Sequence, residues 1–297
     1  MTKELPNKDL VARSFGRAAA HYDDVAVLQR QTGDELLERL SLVTLQPERI
    51  LDLGVGTGRN LSLLGKRYPT AELLAVDIAP GMLVHARNRF SQTQGVKRWL
   101  PRAQKPKYLA GDAENLPLAD NSVDLVFANL ALQWCDPRMS FAEIQRVLRP
   151  DGLLMFTTLG PDTLHELRTA WASVDDYPHV NMFYDMHDVG EAMMEAGLAE
   201  AVLDTDRYTL TYDTAMALMK DLKVLGARNV NSARRRGLTG KMAIQKVAQS
   251  YEQFRQDAYL PATYEVVYGH AWGGQVKQQN HDGEVRIPIS QIQRRNK

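Results

Sequence analysis

The sequence predicts an α/β fold, a mostly parallel seven-stranded sheet with helices at the N-terminus and a helical cap inserted ahead of the last strand. Three observations predict it. From Arg49 onward, short and almost wholly apolar segments alternate with amphipathic ones, as strands covered on both faces by crossover helices do. The first apolar segment runs into three closely spaced glycines in "RILDLGVGTGRNLSLL" (49–64), a tight strand-to-helix turn. After a long helical stretch, "TYEVVYGHAW" (263–272) regains strand character, as a last strand returning to the first sheet would.

Residues 8–43 read as two helices broken near "AHYDD", with Leu36, Leu37 and Leu40 on one face of the second. Strand "RILDLG" leads to a helix over 57–68. Strand "AELLAVDI" leads to a helix over 80–90 that opens with proline. Strand "PKYLAGD" and the longer "SVDLVFANLAL" follow, then a helix over 140–148 and a fifth strand, "DGLLMFTTL", introduced by the turn pair Asp151-Gly152. The polar, basic stretch 91–107 reads as a surface insertion. Beyond Gly160 come a helix over 186–196, the alternating strand "AEAVLDTDRYTLTY", a helix over 213–225 with Asp213 as N-cap, and a helix over 241–259. The expected organisation is an N-terminal helical lid (1–45), an α/β core (46–160), a cap and substrate region (161–262), and a final strand with a polar tail (263–297), all within one domain.

A chain of 297 residues can bury a substantial core. Lysine plus arginine and aspartate plus glutamate both number 36, so no net charge attracts nucleic acid or an acidic membrane, and neither is expected as a partner. The single cysteine, Cys135, excludes an internal disulfide and suits a reducing compartment. The polar start "MTKELPNKDL" has no apolar run behind it, and no stretch approaches the roughly 18 apolar residues of a membrane span. A cytoplasmic location is therefore expected. Metal-ligand spacing is absent, so no metal is expected.

A glycine turn after the first strand lets backbone approach a ligand beside the positive end of a helix. A dinucleotide site would space its glycines G-x-G-x-x-G. Here Gly54, Gly56 and Gly58 are spaced G-x-G-x-G, and Asp52 stands just before them, a carboxylate suited to a cationic ligand rather than a pyrophosphate. Asp77 closes the second strand, where it can accept from ribose hydroxyls, with Ile78 and Met82 following it. Asp112 follows the third strand, where it can accept from an adenine amino group beside the small Ala113, and Asn129 ends the fourth. All lie at carboxyl ends of strands, where open α/β sheets bind ligands.

On these residues the chain resembles the class I S-adenosylmethionine-dependent methyltransferases over about 49–159, which implies a Rossmann-like sheet and S-adenosylmethionine as cofactor. Three further stretches, "FGRAAAHYDDVAVLQRQ", "NLALQWCDP" and "MKDLKVLGARN", resemble the malonyl-[acyl-carrier protein] O-methyltransferases of biotin synthesis. The resemblance implies methylation of the free carboxylate of a malonyl thioester on acyl carrier protein, or on coenzyme A. It implies that Tyr22 closes the site from the N-terminal segment and that Gln133 and Trp134 face the transferred methyl. A carboxylate is ionised at neutral pH and needs a clamp, not a base. The dispersed histidines accord with that, His21 and His270 being the two in suggestive surroundings.

A bidentate arginine is the expected clamp, with Arg168 and Arg30 as candidates. Lys220, Lys223, Arg228 and the run Arg234, Arg235 and Arg236 form a basic cluster suited to an acidic carrier protein. "GPDTLHELR" and "PATYEVVYGHAW" also resemble the mitochondrial complex I assembly factors, which act on a protein arginine. That alternative stays open, as do a small-molecule methyltransferase and a non-catalytic binding protein.

Overall fold

The computed structural model describes residues 6–94, 104–230, 237 and 239–274. Seven strands form one sheet in the order β3-β2-β1-β4-β5-β7-β6. They are β1 (Arg49–Leu53), β2 (Glu72–Asp77), β3 (Lys107–Ala110), β4 (Val123–Asn129), β5 (Leu148–Leu159), β6 (Ala199–Tyr212) and β7 (Leu260–Trp272). The first five run parallel, and β7 lies antiparallel between β5 and β6.

Successive side chains on the central strands point to opposite faces, and both faces are dry. Ile50, Leu125, Phe127 and Met155 face one core, while Leu51, Val126, Leu154 and Phe156 face the other. That is why these strands read as continuous apolar runs rather than alternating ones. The first face is covered by α3 (Val27–Arg39), α4 (Arg59–Arg67), α5 (Pro80–Gln94), α7 (His165–Ala172), α9 (Ala215–Val224) and α10 (Lys241–Tyr251). The second is covered by α6 (Pro137–Val147) and α8 (Met186–Glu195). Two further helices, α1 (Lys8–Ala18) and α2 (Tyr22–Val25), lie over the carboxyl edge of the sheet. No helix among the described residues is long and apolar enough to cross a membrane.

The strand expected over 199–212 forms as β6, in a long antiparallel pairing with β7, so the region expected as a cap also supplies the seventh strand; the differences from the sequence reading lie at element boundaries. As an edge strand β6 is mostly exposed, and its charged residues, including Asp204 and Asp206, blunt further pairing. The strand expected over 122–132 stops at Asn129, because Leu130 takes a left-handed φ of 49° and a 3-10 turn (Leu132–Trp134) follows. Thr214, not Asp213, caps α9: its backbone is extended and its Oγ1 accepts from the Ala217 amide at 3.2 Å. The last helix ends at Tyr251 rather than 259. There Arg255 donates to the carbonyls of Ala258 and Asp213 and reverses the chain. The expected insertion begins as four more residues of α5, and 95–103 lie outside the described residues.

Candidate active site

The turn after β1 needs all three glycines, for different reasons. Each has a positive φ: 70° at Gly54, 52° at Gly56 and 81° at Gly58. A Cβ on Gly54 would meet the Ala131 methyl at 2.3 Å, and one on Gly58 would meet the backbone of α5 at Ala86 at 2.7 Å. A Cβ on Gly56 would meet nothing within 4 Å, because Gly56 faces a cavity. Gly58 is thus a packing residue at the start of α4, while Gly54 and Gly56 border the cavity.

This first cavity collects the residues at the carboxyl ends of four strands. Gly54 and Gly56 come from β1, Asp77, Ile78 and Met82 from beyond β2, Asp112 and Ala113 from beyond β3, and Asn129 and Trp134 from beyond β4. Its roof is Lys8, Val11 and Phe15 of α1 with Tyr22 of α2. Asp77 accepts from the Gly56 amide at 2.9 Å and the Ala79 amide at 2.8 Å. Burial pushes its carboxyl up to about 6 against those two bonds. Asp52 lies behind the glycine turn, 2% exposed, and its Oδ2 has no hydrogen-bond partner among the described residues. Burial, and then the charge of Asp77, push it up to about 8. Two buried carboxyls, one orphaned oxygen and an open glycine face fit a ligand with an amino group and ribose hydroxyls, as S-adenosylmethionine has.

Asn129 lines the cavity, yet its side chain is fully engaged elsewhere. Its Oδ1 accepts from Thr32 and Thr157, and its Nδ2 donates to the Gln29 carbonyl at 2.9 Å, tying α3 to β4 and β5. That role is invisible in sequence, since its partners lie far away along the chain.

The N-terminal segment is stitched down at several points. The start of α5 meets α1 backbone to backbone, where a Cβ on Gly81 would come within 2.9 Å of the Gly16 carbonyl. Asp23 accepts from Thr57 of the glycine turn at 2.8 Å and pairs with Arg89. Ser14 donates to the Gly226 carbonyl at 2.9 Å. These contacts hold Tyr22 over the cavity, with Phe15 between its ring and Trp134 at centroid distances of 6.4 and 5.3 Å. Burial, then Asp77 and Asp23, raise the Tyr22 phenol well above its ordinary value, so it stays protonated.

A second cavity meets the first at Phe15, Tyr22, Leu130 and Trp134. Gln133 lines it, its Nε2 donating to the Leu130 carbonyl at 2.7 Å and its Oε1 buried without a partner among the described residues. Among the described residues no arginine or lysine lines this cavity. Arg168 is turned away, donating to the carbonyls of Pro161 and Thr163 at 3.0 Å each, and it borders a separate surface depression. Arg30 donates to the Asp23 carbonyl. The structure adds a residue that sequence reading passed over. His179 lines the cavity wall, stacked on Trp171 at 3.7 Å and bonded through Nε2 to Asp175 at 2.7 Å. His21 is exposed beside Asp24, and His270 sits in β7.

Lys220, Lys223 and Arg228 border a third, open groove between α1 and α9, joined by Arg13 and Arg17 of α1. Asn229 lines both this groove and the second cavity. Arg234, Arg235 and Arg236 lie outside the described residues.

A family profile described as a methyltransferase domain matches residues 51–156. Among solved structures, the YcgJ protein of Bacillus subtilis superposes with a TM-score of 0.55 at 16% identity, covering 82% of this chain and 99% of that one. A Bacillus halodurans protein gives 0.57 at 17% identity, covering 82% of this chain and all of that one. Both speak for the fold. Malonyl-[acyl-carrier protein] O-methyltransferases give much higher sequence identity: 51% in Laribacter hongkongensis, over 90% of this chain and 89% of that one. The protein of the same name in Gallionella capsiferriformans is 46% identical over 98% of this chain and 99% of that one. The chain belongs to the malonyl-[acyl-carrier protein] O-methyltransferase family.

Proposed function

We propose that the chain methylates the free carboxylate of a malonyl group carried as a thioester on acyl carrier protein, the reaction that opens pimeloyl-chain synthesis for biotin. Its methyl donor is S-adenosylmethionine, which when bound supplies an electrophilic methyl group on a sulfonium. The observation that carries the reading is the meeting of two unlike cavities at Tyr22 and Trp134. One has buried carboxyls and an open glycine face, and the other has mostly apolar walls with amide side chains among them.

In the first cavity Asp112 and Ala113 would take the adenine, Asp77 the ribose hydroxyls, and Gly54 and Gly56, with Asp52 behind them, the methionyl end. Ile78 and Met82 would pack along the nucleoside. In the second, no base has to act, because the carboxylate is already ionised (ordinary pKa about 4). A protonated Tyr22 hydroxyl can donate one hydrogen bond to orient it, while Phe15, Gln133 and Trp134 exclude water at the neck.

The groove bearing Arg13, Arg17, Lys220, Lys223 and Arg228 suits the acidic surface of a carrier protein, and Asn229 marks the way from it toward the second cavity. Steady-state methyl transfer tests the reading. Lys220→Glu with Lys223→Glu should raise KM for malonyl-acyl carrier protein about tenfold or more and change turnover of malonyl-coenzyme A far less. An equal loss on both substrates would place the carrier elsewhere.

A further inference from the structure

At the adenine end of the first cavity, Lys8 reaches down from α1 into a cluster of three other side chains. Its Nζ lies 2.9 Å from Asp112 Oδ1, 2.7 Å from Glu114 Oε1 and 3.4 Å from Cys135 Sγ. The Asp112, Glu114 and Cys135 ligand atoms fall within 4.8 Å of one another, an arrangement that would otherwise suit a metal ion. Here the ammonium is the cation. Burial pushes the Cys135 thiol up to about 12, so it stands as a neutral neighbour rather than a soft anionic ligand.

The two oxygens of Asp112 are used differently. Oδ1 accepts from Lys8 and from the Glu114 amide at 3.1 Å. Oδ2 has no hydrogen-bond partner among the described residues, and Asp112 lines the cavity. A carboxylate with one oxygen fixed by a charged donor presents the other in a set direction. Glu114 does not line the cavity; its Oε1 also accepts from the Asp136 amide at 2.7 Å, at the start of α6. Lys8 is thus anchored from behind by a group that does not border the ligand space.

We propose that Lys8 is a positioning residue for the cofactor's base: by holding Asp112 Oδ1 through its bridge to Glu114, it aims Asp112 Oδ2 at the 6-amino group of adenine, and so couples closure of α1 to recognition of the nucleobase. The inference rests on the cofactor placement proposed above. It separates base recognition from simple lid packing, because a lid contact would favour any purine equally. An aimed carboxylate oxygen favours a 6-amino donor and repels a 6-oxo acceptor.

The test is calorimetric binding of S-adenosylhomocysteine and of S-inosylhomocysteine, whose purine carries a carbonyl oxygen where adenine has its amino group. Wild-type protein should prefer the adenine ligand. Lys8→Met should shrink that preference about tenfold, and Lys8→Arg should restore part of it. Glu114→Gln keeps an acceptor for the Asp136 amide while removing the carboxylate charge that anchors Lys8, and should shrink the preference in the same direction even where Lys8→Met folds poorly. Equal weakening of both ligands in Lys8→Met and Glu114→Gln, with the preference intact, would overturn the proposal and leave Lys8 a lid contact. A wild-type protein that binds the two ligands equally would overturn the placement of adenine at Asp112, and the proposal with it.

Discussion

Asp52 and Asp77 show how a site's chemistry is legible in single residues while its energetics are not. Their order along the chain, each at the carboxyl end of a strand, gives their place, because strand ends are fixed by local pattern. Their pKa values come from burial and from each other, which only the fold supplies. Asp52 sits at about 8 against an ordinary 3.8. Between those values the unfolded chain has released a proton that the folded, ligand-free protein keeps, so this residue makes stability fall as pH rises from about 4 to about 8. Asp77 adds to the slope up to about 6. A cofactor ammonium favours the ionised forms, so binding releases protons below pH 8 and affinity should climb from pH 6 to pH 8. Asp52→Asn should weaken S-adenosylmethionine binding on the order of tenfold, flatten that climb, and raise the melting temperature of the ligand-free protein at pH 8. Calorimetric titrations at the two pH values check the first two effects and a thermal scan the third. Lys8 and the pair His179–Asp175 stayed hidden, as did the bonds of Asn129 to Thr32, Thr157 and Gln29, because these contacts depend on partners that folding brings near. Even the Asp175 neighbour of His179 gave no signal, since carboxylates four residues from a histidine are common on any surface.

Among the elements, the central strands were readable because burial on both faces fills them mostly with apolar residues, as Ile50, Leu51 and Leu53 illustrate. Boundaries were less readable where a single backbone angle decides them. The left-handed Leu130 ends β4 early and turns Trp134 toward the neck of the two cavities. The seating of α1 is another such case. It depends on Gly81, whose place opposite Gly16 no local pattern announces. Gly81→Val would force a side chain onto the Gly16 backbone, which cannot yield as a side-chain tip can. The expected result is α1 lifted from α5, at a cost of about 1–3 kcal/mol, with weakened cofactor binding. Gly16→Ala points its methyl into open space and should bind cofactor as the wild type does. Isothermal titration of both variants distinguishes a seating contact from a general sensitivity of α1.

At the scale of the molecule, zero net charge conceals a strongly uneven surface. Basic residues of α1 and α9, far apart in sequence, gather along one groove, and that groove, the second cavity and the first follow one another through the shared residues Asn229, Tyr22 and Trp134. The sequence's basic cluster showed half of this arrangement; Arg13 and Arg17 complete it only because α1 folds across the sheet edge. The sequence offered Arg168 as a clamp without showing its direction, since a guanidinium's direction is set by tertiary contacts such as those Arg168 makes with Pro161 and Thr163. The account stands on an acceptor that brings its own negative charge. The most direct test is transfer of labelled methyl from S-adenosylmethionine with malonyl- and acetyl-acyl carrier protein offered side by side. Label on the malonyl form alone, released by mild base as an ester is, is the predicted result. Label on both forms, or on neither while S-adenosylmethionine still binds, would contradict it.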